Sequence, residues 1–362
     1  MALVPDVARR LSGAGHQVIV EAGAGLAAGH ADAAYAESGA TVADASAAWA
    51  SEVVAKVGAP APEEIGHLRS GGVLVGFLAP LTNPDAVRAI AGSGATAFAM
   101  EAVPRTTRAQ SMDALSSQAT VSGYRAVLIG SHYLGRFFPM LMTAAGTVPP
   151  ANVFVLGAGV AGLQAIATAR RLGAVVMAFD VRAAVQEQIE SLGARFLEIE
   201  GAADASGSGG YARELTEEEL AAQRAALAAQ VAKSDVVITT ALVPGRPAPK
   251  LVTADAVAAM KRGSVVVDLA GEAGGNCELT RPGQAYETDN GVNIVAPLNV
   301  PSTMAEHASQ LYAKNIQALL ELMTGEDGAL KLDFEDDIIA GACITRDGDI
   351  VHPGARAAAG LG

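Results

Sequence analysis

Cysteine and basic charge are both scarce in this chain of 362 residues, and each scarcity excludes a class of protein. The two cysteines, Cys277 and Cys343, form neither a disulfide framework nor a zinc-binding pattern, which indicates a reducing compartment and no metal site. Lysine and arginine number 25 against 38 aspartate and glutamate residues. The resulting net charge of −13 argues against nucleic acid and anionic membranes as direct partners.

Long uninterrupted apolar runs are also lacking, although the mean hydropathy of +0.30 is high. The most apolar window, 126–148, is interrupted by His132, Arg136 and Pro139, whereas a membrane span needs ~20 consecutive apolar residues. The first ten residues have no apolar core of the kind found in signal peptides. Because the high hydropathy reflects abundant alanine and glycine, we expect no direct membrane span.

What the chain does contain is a glycine turn near its centre. A four-residue apolar run leads into Gly157-x-Gly159-x-x-Gly162, an apolar helical pattern follows, and a second apolar run ends at Asp180. This order of strand, tight turn, helix, strand and acid is the dinucleotide-binding fingerprint. Gly157 permits the turn, Gly159 lets the backbone approach a pyrophosphate, and Gly162 lets the helix pack closely on the strand. A glycine turn kept only for close packing is the alternative.

The acid at the end of the second strand indicates which dinucleotide binds. Asp180 is expected to accept a hydrogen bond from a ribose 2′-OH and to repel a 2′-phosphate, which favours NAD(H) over NADP(H). Arg182 weakens this argument, since a nearby arginine can accommodate a 2′-phosphate. Because Asp180 holds the strand-end position, we predict an NAD(H) site.

Strand and helix patterns alternate along the rest of the chain and predict an α/β fold. We expect two Rossmann-like, doubly wound parallel-sheet domains joined by long helices, the first at 1–118 plus 305–362 and the NAD(H)-binding Rossmann domain at 119–304. The glycine- and serine-rich segment 202–210 breaks the rhythm and indicates either a lid, with Tyr211 at its edge, or a surface insertion. The predicted strands are 17–21, 52–57, 73–78 and 96–100, then 153–156, 175–179, 195–199, 235–239, 264–268 and 292–296, with a connecting helix at 114–138.

Residues 105–118 form a second informative segment, which is strongly polar and follows a predicted strand end. Loops at the carboxyl ends of parallel strands are where α/β proteins build their sites. Arg105 and Asp113 have opposite charges suited to holding the loop, while Gln110 and Ser116 have neutral groups suited to a carboxamide. Asp113 is equally suited to capping the helix that follows.

This polar segment contains no histidine, cysteine or lysine. Oxidation of an alcohol or amine needs a general base. Hydride transfer between two nicotinamides needs positioning and exclusion of water instead, because it moves no proton to or from a protein group. The segment therefore favours the second reaction, and we expect the histidines to be structural. They are His16, His30, His67, His132, His307 and His352.

Together with several other motifs, the polar segment resembles proton-translocating NAD(P) transhydrogenase, a family related to alanine dehydrogenase. The match is to the soluble NAD(H)-binding domain of the alpha subunit and covers nearly the whole chain. The run Arg-Ala-Gln-Ser-Met-Asp-Ala-Leu-Ser-Ser at 108–117 is specific to that family. The other matching motifs are 123–127, 142–150, 157–162, 239–245, 268–276 and 299–302.

The resemblance implies an activity, partners and a location. In the family, hydride passes directly between NADH and NADP+, coupled to proton movement through a membrane subunit. The chain would bind NAD(H), form a homodimer and dock on the membrane subunit and on a beta subunit that binds NADP(H). It would be cytoplasmic and peripheral on the inner face of the cell membrane.

The resemblance also implies roles for individual residues. Gln110 would hold the nicotinamides in register, while Arg105, Asp113 and Ser116 would anchor the NADH ring and its carboxamide. The implied cofactor-binding residues are Gly157, Gly159, Val160, Ala161, Gly162, Asp180, Val181, Arg182, Tyr211, Thr240, Ala241, Leu242, Gly271, Glu272 and Asn299.

Two other functions stay open, an alanine-dehydrogenase-like NAD-dependent oxidoreductase and a non-catalytic NAD(H)-sensing module. Lys56 resembles the substrate-binding lysine of alanine dehydrogenase, but the positions of its catalytic histidine and aspartate are filled by Ala79 and Glu272. Alanine cannot shuttle a proton, which disfavours amino-acid dehydrogenation.

The resemblance departs from the family at both ends of the chain. The family's first strand, with its Pro-Lys-Glu run, has no counterpart here, which indicates either a misassigned start codon or a lost strand. Loss of the strand would leave an exposed sheet edge in the first domain. The chain also stops before the membrane helices that some alpha subunits carry, as expected for a split, three-subunit arrangement.

Overall fold

The structure, a computed structural model, divides into two compact units. One unit comprises Met1–Gln118 with Met304–Gly362, and the other comprises Ala119–Thr303. The residues described are 1–199, 217–243, 245–325 and 327–361. The expected lid segment 202–210 and Tyr211 lie outside them.

The first unit begins with alternating helices and strands. Three helices of this N-terminal stretch, Pro5–Gly13, Pro62–Ile65 and Pro84–Gly92, have proline in their first turn, where the missing N–H costs nothing. The elements are α1 (Pro5–Gly13), β1 (Ile19–Glu21), α2 (Asp32–Glu37), β2 (Thr41–Ala43), α3 (Ala45–Trp49), β3 (Val53–Ala55), α4 (Pro62–Ile65), β4 (Val73–Gly76), α5 (Pro84–Gly92) and β5 (Thr96–Ala99).

The connecting helix α6 (Ala114–Tyr133) crosses the boundary between the units. It ends earlier than the predicted residue 138, because Gly135 and Pro139 follow its last turn and neither favours a helix. Within the described ranges, no helix has both the length and the apolar character needed to span a membrane.

The second unit carries the glycine turn. Its elements are β6 (Leu141–Thr143), β7 (Gly146–Val148), β8 (Asn152–Leu156), α7 (Val160–Arg171), β9 (Val175–Phe179), α8 (Gln186–Ser191), β10 (Arg195–Phe196), α9 (Glu217–Val231), β11 (Val236–Thr239), α10 (Ala254–Ala258), β12 (Val265–Asp268), β13 (Ala285–Glu287) and β14 (Asn293–Val295). The chain then returns to the first unit through α11 (Ala305–Leu322), α12 (Asp337–Ala342), β15 (Cys343–Arg346), β16 (Asp349–Ile350) and α13 (Pro353–Ala358).

The main sheet of the second unit has, across its described residues, the order β10-β9-β8-β11-β12-β14-β13. All six predicted strands are present and parallel, although β10 is only two residues long. The seventh strand, β13, was not predicted and pairs antiparallel with β14. Chain order reverses between β8 and β11, and ligands of such sheets bind at the carboxyl ends of the strands at this switch point.

Alternate residues of the central strands fill cores on both faces of this sheet. Val153 and Val155 pack on one face, with Ile166 of α7. Phe154 and Leu156 pack on the other, with Leu227 of α9. A strand buried on both faces needs a continuous apolar run, which explains why β8, β11 and β12 are readable in the sequence.

The main sheet of the first unit mixes parallel and antiparallel strands, in the order β16-β15-β5-β4-β3 within the described ranges. The parallel strands β3, β4 and β5 were predicted. The antiparallel strands β15 and β16 were not, because they come from the far end of the chain. β1 pairs in parallel with β2 in a separate two-stranded sheet.

Candidate functional site

The glycine turn connects β8 to α7 with the backbone conformations that the fingerprint requires. Gly157 has a φ of +95°, which residues with a side chain rarely adopt. A Cβ on Gly162 would lie 1.8 Å from the Gly157 carbonyl oxygen, so only glycine lets α7 begin this close to the turn. A Cβ on Gly159 would meet nothing within 4 Å. The protein's own packing therefore does not require glycine at 159, and the space beside it suits a ligand.

The first turn of α7 is suited to binding phosphate. Gly159 is its N-cap, Val160 is exposed and Ala161 is half-buried. The first N–H groups of a helix have no intrahelical partner and carry partial positive charge, which attracts anions. Gly123 of α6 packs against this turn, since a Cβ there would lie 2.1 Å from the Ala161 carbonyl oxygen.

Asp180, directly after β9, accepts four hydrogen bonds. Its carboxylate receives the Ala158 N–H at 2.7 Å, the Arg182 N–H at 3.0 Å, and the guanidinium Nε and Nη2 of Arg182 at 2.8 and 2.9 Å. Burial by itself would raise the pKa of Asp180, but the hydrogen bonds from Arg182 and Ala158 outweigh it and hold the pKa below its usual range. The acid is therefore ionised at neutral pH, and it also ties the glycine turn to β9.

Arg182 contacts Asp180 directly, while its ability to accommodate a 2′-phosphate stays a prediction. The two side chains form a bidentate pair, and the carboxylate raises the pKa of the guanidinium further. The half-buried Val181 between them packs against the core of the second unit. An adenosine ribose bound at this strand end would contact the Asp180 carboxylate and the Arg182 guanidinium together.

The loop after β11 lies against the glycine turn, because β11 and β8 are neighbours. The Thr240 hydroxyl donates to the Gly157 carbonyl oxygen at 3.1 Å. Ala241 is held from both sides by Asn276, whose Oδ1 accepts the Ala241 N–H at 3.0 Å and whose Nδ2 donates to the Ala241 carbonyl at 2.8 Å. The side chain of Leu242 is 49% exposed, so an apolar group stands beside the turn.

Asn276 is a positioning residue that the sequence reasoning missed. It is fully buried, and its Nδ2 also donates to the Pro249 carbonyl at 2.8 Å. A fully buried carboxylate, Asp268, supports the same region by accepting the Thr239 hydroxyl at 2.8 Å and the Cys277 N–H at 3.0 Å. Both residues lie in the matching motif 268–276, which was the available signal.

The remaining predicted contacts follow β12 and β14. Gly271 and Glu272 lie in a 3-10 turn, and the exposed Glu272 carboxylate accepts the Asn299 N–H at 2.8 Å. Asn299 itself has a φ of +45°, which asparagine tolerates better than most residues. The structure thus brings the predicted cofactor residues of the second unit, Tyr211 aside, to the carboxyl edge of one sheet.

The predicted catalytic residues lie on a 3-10 turn of the first unit (Thr107–Met112), on the loop before it and at the start of α6. Gln110 and Arg105 are exposed. Asp113 caps α6, because its carboxylate accepts the Ser116 N–H at 2.8 Å and the Ser116 hydroxyl at 2.6 Å. The capping interpretation of Asp113 is confirmed, and its pairing with Arg105 stays a prediction.

Several contacts tie this polar segment to the end of the chain. The Arg108 guanidinium pairs with Asp336 at 2.6 Å and with Asp337. Asn315 of α11 donates to the Ser111 carbonyl at 2.8 Å. The segment is therefore an anchored surface from which Gln110 projects.

The residues related to alanine dehydrogenase have other partners here. The Lys56 ammonium lies 2.6 Å from both carboxylate oxygens of Glu64 and 5.5 Å from the centre of the Trp49 ring. Its charge is already neutralised by an acid of the same chain. Ala79 has no ionisable group, so it cannot carry a proton at that position.

Family models match almost the entire chain. Residues 1–122 match the N-terminal domain of alanine dehydrogenase/PNT, and residues 126–353 match the C-terminal domain. The chain belongs to the alanine dehydrogenase/PNT family.

Within the alanine dehydrogenase/PNT family, the chain is more similar to transhydrogenases than to alanine dehydrogenases. It is 50% identical to the first portion of NAD(P) transhydrogenase subunit alpha from Rhodospirillum rubrum, over 98% of this chain and 94% of that protein. The crystal structure of transhydrogenase from Sinorhizobium meliloti superposes with a TM-score of 0.89 at 48% identity, over 97% and 95% of the two chains. Identity to alanine dehydrogenase of Bacillus subtilis is 30%, over 97% and 89%. The predicted transhydrogenase resemblance and Rossmann-like fold are confirmed.

Proposed function

We propose that this chain is the NAD(H)-binding component of a proton-translocating NAD(P) transhydrogenase. Hydride would pass directly between NADH on this chain and NADP+ on a partner subunit. The observation that carries the proposal is the anchored polar segment 105–118, which presents an amide and an arginine but contains no side chain able to act as a general base near neutral pH, other than the capping acid Asp113.

This chemistry suits transfer between two nicotinamides. Such a reaction needs two rings held in contact and water kept away, and it produces no proton for the protein to remove. A dehydrogenase acting on an alcohol or amine needs a base with a pKa near the working pH. Asp113 is committed to the N–H and the hydroxyl of Ser116, so it is not placed as that base.

The arrangement of Asp113 and Ser116 also suits recognition of a carboxamide. Because the Ser116 hydroxyl donates its proton to Asp113, its oxygen lone pairs are oriented as acceptors for an amide NH2 group. Arg105 would donate to the carboxamide oxygen. Gln110 would set the register between the two rings.

The second unit would hold the rest of NADH. The start of α7 would receive the pyrophosphate, and the Asp180–Arg182 pair would receive the adenosine ribose. The apolar side chains of Val160 and Leu242, which are 42% and 49% exposed, would flank the cofactor. Burying them against a ligand gives the site its apolar walls.

The test is a single-turnover experiment with an NADP(H)-binding partner domain, in which NADH oxidation is followed by absorbance. Gln110→Asn shortens the side chain by one methylene, and a misplacement of about 1 Å is expected to slow transfer about 100-fold. NADH affinity, measured by fluorescence titration, should change less than about twofold. Gln188→Asn, on the exposed face of α8, is the matched control and should transfer at the wild-type rate.

Two outcomes would contradict the proposal. The first is a wild-type chain that binds NADH but transfers no hydride to a competent partner, as expected of an NAD(H)-sensing module. The second is NADH oxidation by the isolated chain that depends on pyruvate and ammonia, as expected of an alanine dehydrogenase. The neutralised Lys56 argues against the second outcome, because a carboxylate substrate would have to displace Glu64.

The proposed partners follow from the same function. A membrane subunit would carry the protons and a beta subunit would bind NADP(H), so this chain would sit on the cytoplasmic face of the membrane through them. Co-expression with these subunits should move the chain into the membrane fraction, and omission of either should weaken that recovery.

We also propose that the chain is a homodimer, supported by the hairpin formed by β6 and β7. In the part of the chain that the structure describes, these two strands pair only with each other. An isolated two-stranded hairpin is marginally stable in water. The neighbouring side chains of Phe137, Met140 and Met142 are 56, 57 and 77% exposed, an apolar cluster typical of an interface.

A second copy of the chain is the occupant that symmetry favours, since one hairpin can pack on its equivalent about a two-fold axis. The double variant Met140→Glu/Met142→Glu should convert the dimer to a monomer in light-scattering measurements. Leu26→Glu, at a side chain 64% exposed in the first unit, is the matched control and should stay dimeric. A monomeric wild-type chain would refute the assignment.

A further inference from the structure

Glu101 joins the ends of two neighbouring parallel strands of the first unit. It follows β5, and its Oε1 accepts the Ala79 N–H at 2.6 Å while its Oε2 accepts the Leu78 N–H at 3.3 Å. Leu78 and Ala79 follow β4, which is paired with β5. One carboxylate therefore ties together two loops at the carboxyl edge of the sheet.

The loop after β4 contains a strained residue, Ala79, which a hydrogen bond to Glu101 holds in place. Ala79 has a φ of +51°, in the left-handed region that costs a residue with a Cβ free energy. Its carbonyl oxygen accepts the N–H groups of Thr82 at 3.0 Å and Asn83 at 2.8 Å. Asn83 in turn caps α5. The whole turn from β4 into α5 depends on this one strained residue.

Keeping the Glu101 carboxylate buried and ionised costs free energy. Burial raises the pKa of Glu101, although backbone N–H groups of Glu101 itself, Ala79 and Leu78 partly offset the effect. The hydroxyl of the buried Tyr312, which donates to the Lys56 carbonyl at 2.9 Å, has its own pKa raised by burial and by the charge of Glu101. Residues whose strained conformation or buried charge costs stability are typical of functional regions.

The polar segment starts four residues after Glu101, at Arg105. Met100–Ala102 form a 3-10 turn, and Pro104 packs so closely on Gly341 that a Cβ there would lie 2.5 Å from its ring. Arg105 comes next. Glu101 therefore fixes the start of a segment whose middle is fixed by Arg108 and Asn315.

We propose that Glu101 is a positioning residue for hydride transfer. Its carboxylate holds the strained Ala79 turn and the start of the polar segment in one arrangement, which keeps Arg105 and Gln110 in place for the nicotinamide ring. This inference rests on the proposed transhydrogenase function and names a further residue on which that function depends.

The experiment compares Glu101→Gln, Ala79→Gly and the double variant with the wild-type chain. Glutamine can accept one of the two N–H groups, but its own NH2 then faces the other, so one hydrogen bond is lost. We expect Glu101→Gln to slow single-turnover hydride transfer about 10-fold or more, as small misplacements do. NADH affinity should stay within about twofold, and the urea midpoint should be unchanged or higher, because a buried charge has been removed.

The glycine variant tests the mechanism. Glycine adopts the left-handed conformation without strain, so it needs no carboxylate to hold it there. Ala79→Gly alone should transfer hydride at nearly the wild-type rate, and in the double variant it should restore most of the rate lost by Glu101→Gln. Hydrogen exchange of residues 77–83 and 101–113 should rise in Glu101→Gln and fall again in the double variant.

The outcomes separate this inference from the function on which it rests. A wild-type chain that transfers no hydride overturns both. If the wild-type chain transfers hydride, then unaffected transfer in Glu101→Gln overturns this inference alone. A parallel loss of rate and urea midpoint, without rescue by Ala79→Gly, overturns it as well, since that pattern shows a structural role.

Discussion

Two glycines of one turn should separate folding from cofactor binding. In Gly162→Ala the new Cβ would lie 1.8 Å from the Gly157 carbonyl oxygen, whereas ordinary contact begins near 3.4 Å. The start of α7 must therefore retreat from β8 by about 1.6 Å, the difference between these two distances. Overpacking against backbone, which cannot rotate away, is expected to cost about 3 kcal/mol.

Gly159→Ala should behave differently. A Cβ at this position meets no atom of the protein within 4 Å, and its φ of −73° is ordinary for alanine. Alanine is a poorer N-cap than glycine, which lowers stability, but it also reduces the entropy of the unfolded chain, which raises stability. Because these effects oppose each other, the free energy of unfolding should stay within about 0.5 kcal/mol of the wild-type value. The methyl group, however, occupies space that a pyrophosphate needs, and we expect NADH to bind at least about tenfold more weakly, or about 1.4 kcal/mol.

Equilibrium urea unfolding and NADH fluorescence titration measure the two effects. With a slope of about 3 kcal/mol/M, the midpoint of Gly162→Ala should fall by about 1 M, and its NADH affinity should fall as well because the start of α7 has moved. The midpoint of Gly159→Ala should match that of the wild-type chain. A wild-type midpoint for Gly162→Ala, or wild-type NADH affinity for Gly159→Ala, would refute the geometry argued for this turn.

Three further predictions concern the second unit and the cysteines. Asp180→Asn should weaken NADH binding and strengthen NADP(H) binding in titrations, because the Arg182 guanidinium loses its acid partner. Since the pKa of Asp180 is lowered in the folded protein, the stability that this carboxylate contributes is present above its unfolded pKa and is lost as the pH falls through its folded pKa. The variant should therefore show a smaller decline of melting temperature between about pH 5 and 3 than the wild-type chain. Asn276→Asp should lower both the melting temperature and NADH affinity, since an acceptor would face two backbone carbonyls. Burial raises the pKa of Cys277 and of Cys343 to about 11, so iodoacetamide should label neither thiol in the native protein and both in concentrated urea, as mass spectrometry would show.

The most predictable part of the molecule is the stretch from β8 to Asp180. Its strands are buried on both faces and read as apolar runs, its turn needs glycine for steric reasons, and its acid stands at a strand end. Each of these signals lies within one short stretch of chain. Local sequence was sufficient because every constraint was local.

The less predictable parts depend on residues far apart in the chain. β15 joins the first sheet beside β5, although about 245 residues separate them, and its register includes a bulge. β13 is short, lies at a sheet edge and has only half-buried or exposed side chains, so no apolar run marks it. No periodicity within a segment can show which distant segment it will pair with.

The polar segment shows the same division within one site. Its lack of histidine, cysteine and lysine could be read directly, and that absence directed the functional argument. Whether Asp113 caps the helix that follows was open, and the structure places its carboxylate on the N–H and hydroxyl of Ser116. Residue types and spacing do not show whether a carboxylate reaches the first turn of a helix, so only the course of the backbone could decide the capping.

The sequence by itself determined the class of fold, the glycine turn, the strand-end acid and the absence of histidine, cysteine and lysine from the polar segment, because residue type and short-range spacing decide these features. Tertiary structure alone decided that Asp180 pairs with Arg182, that Asn276 holds Ala241, and that Glu101 supports Ala79 across two strand ends. The physical reason is that hydrogen bonds and ion pairs require atoms to meet within about 3 Å, and the folded sheet brings those atoms together.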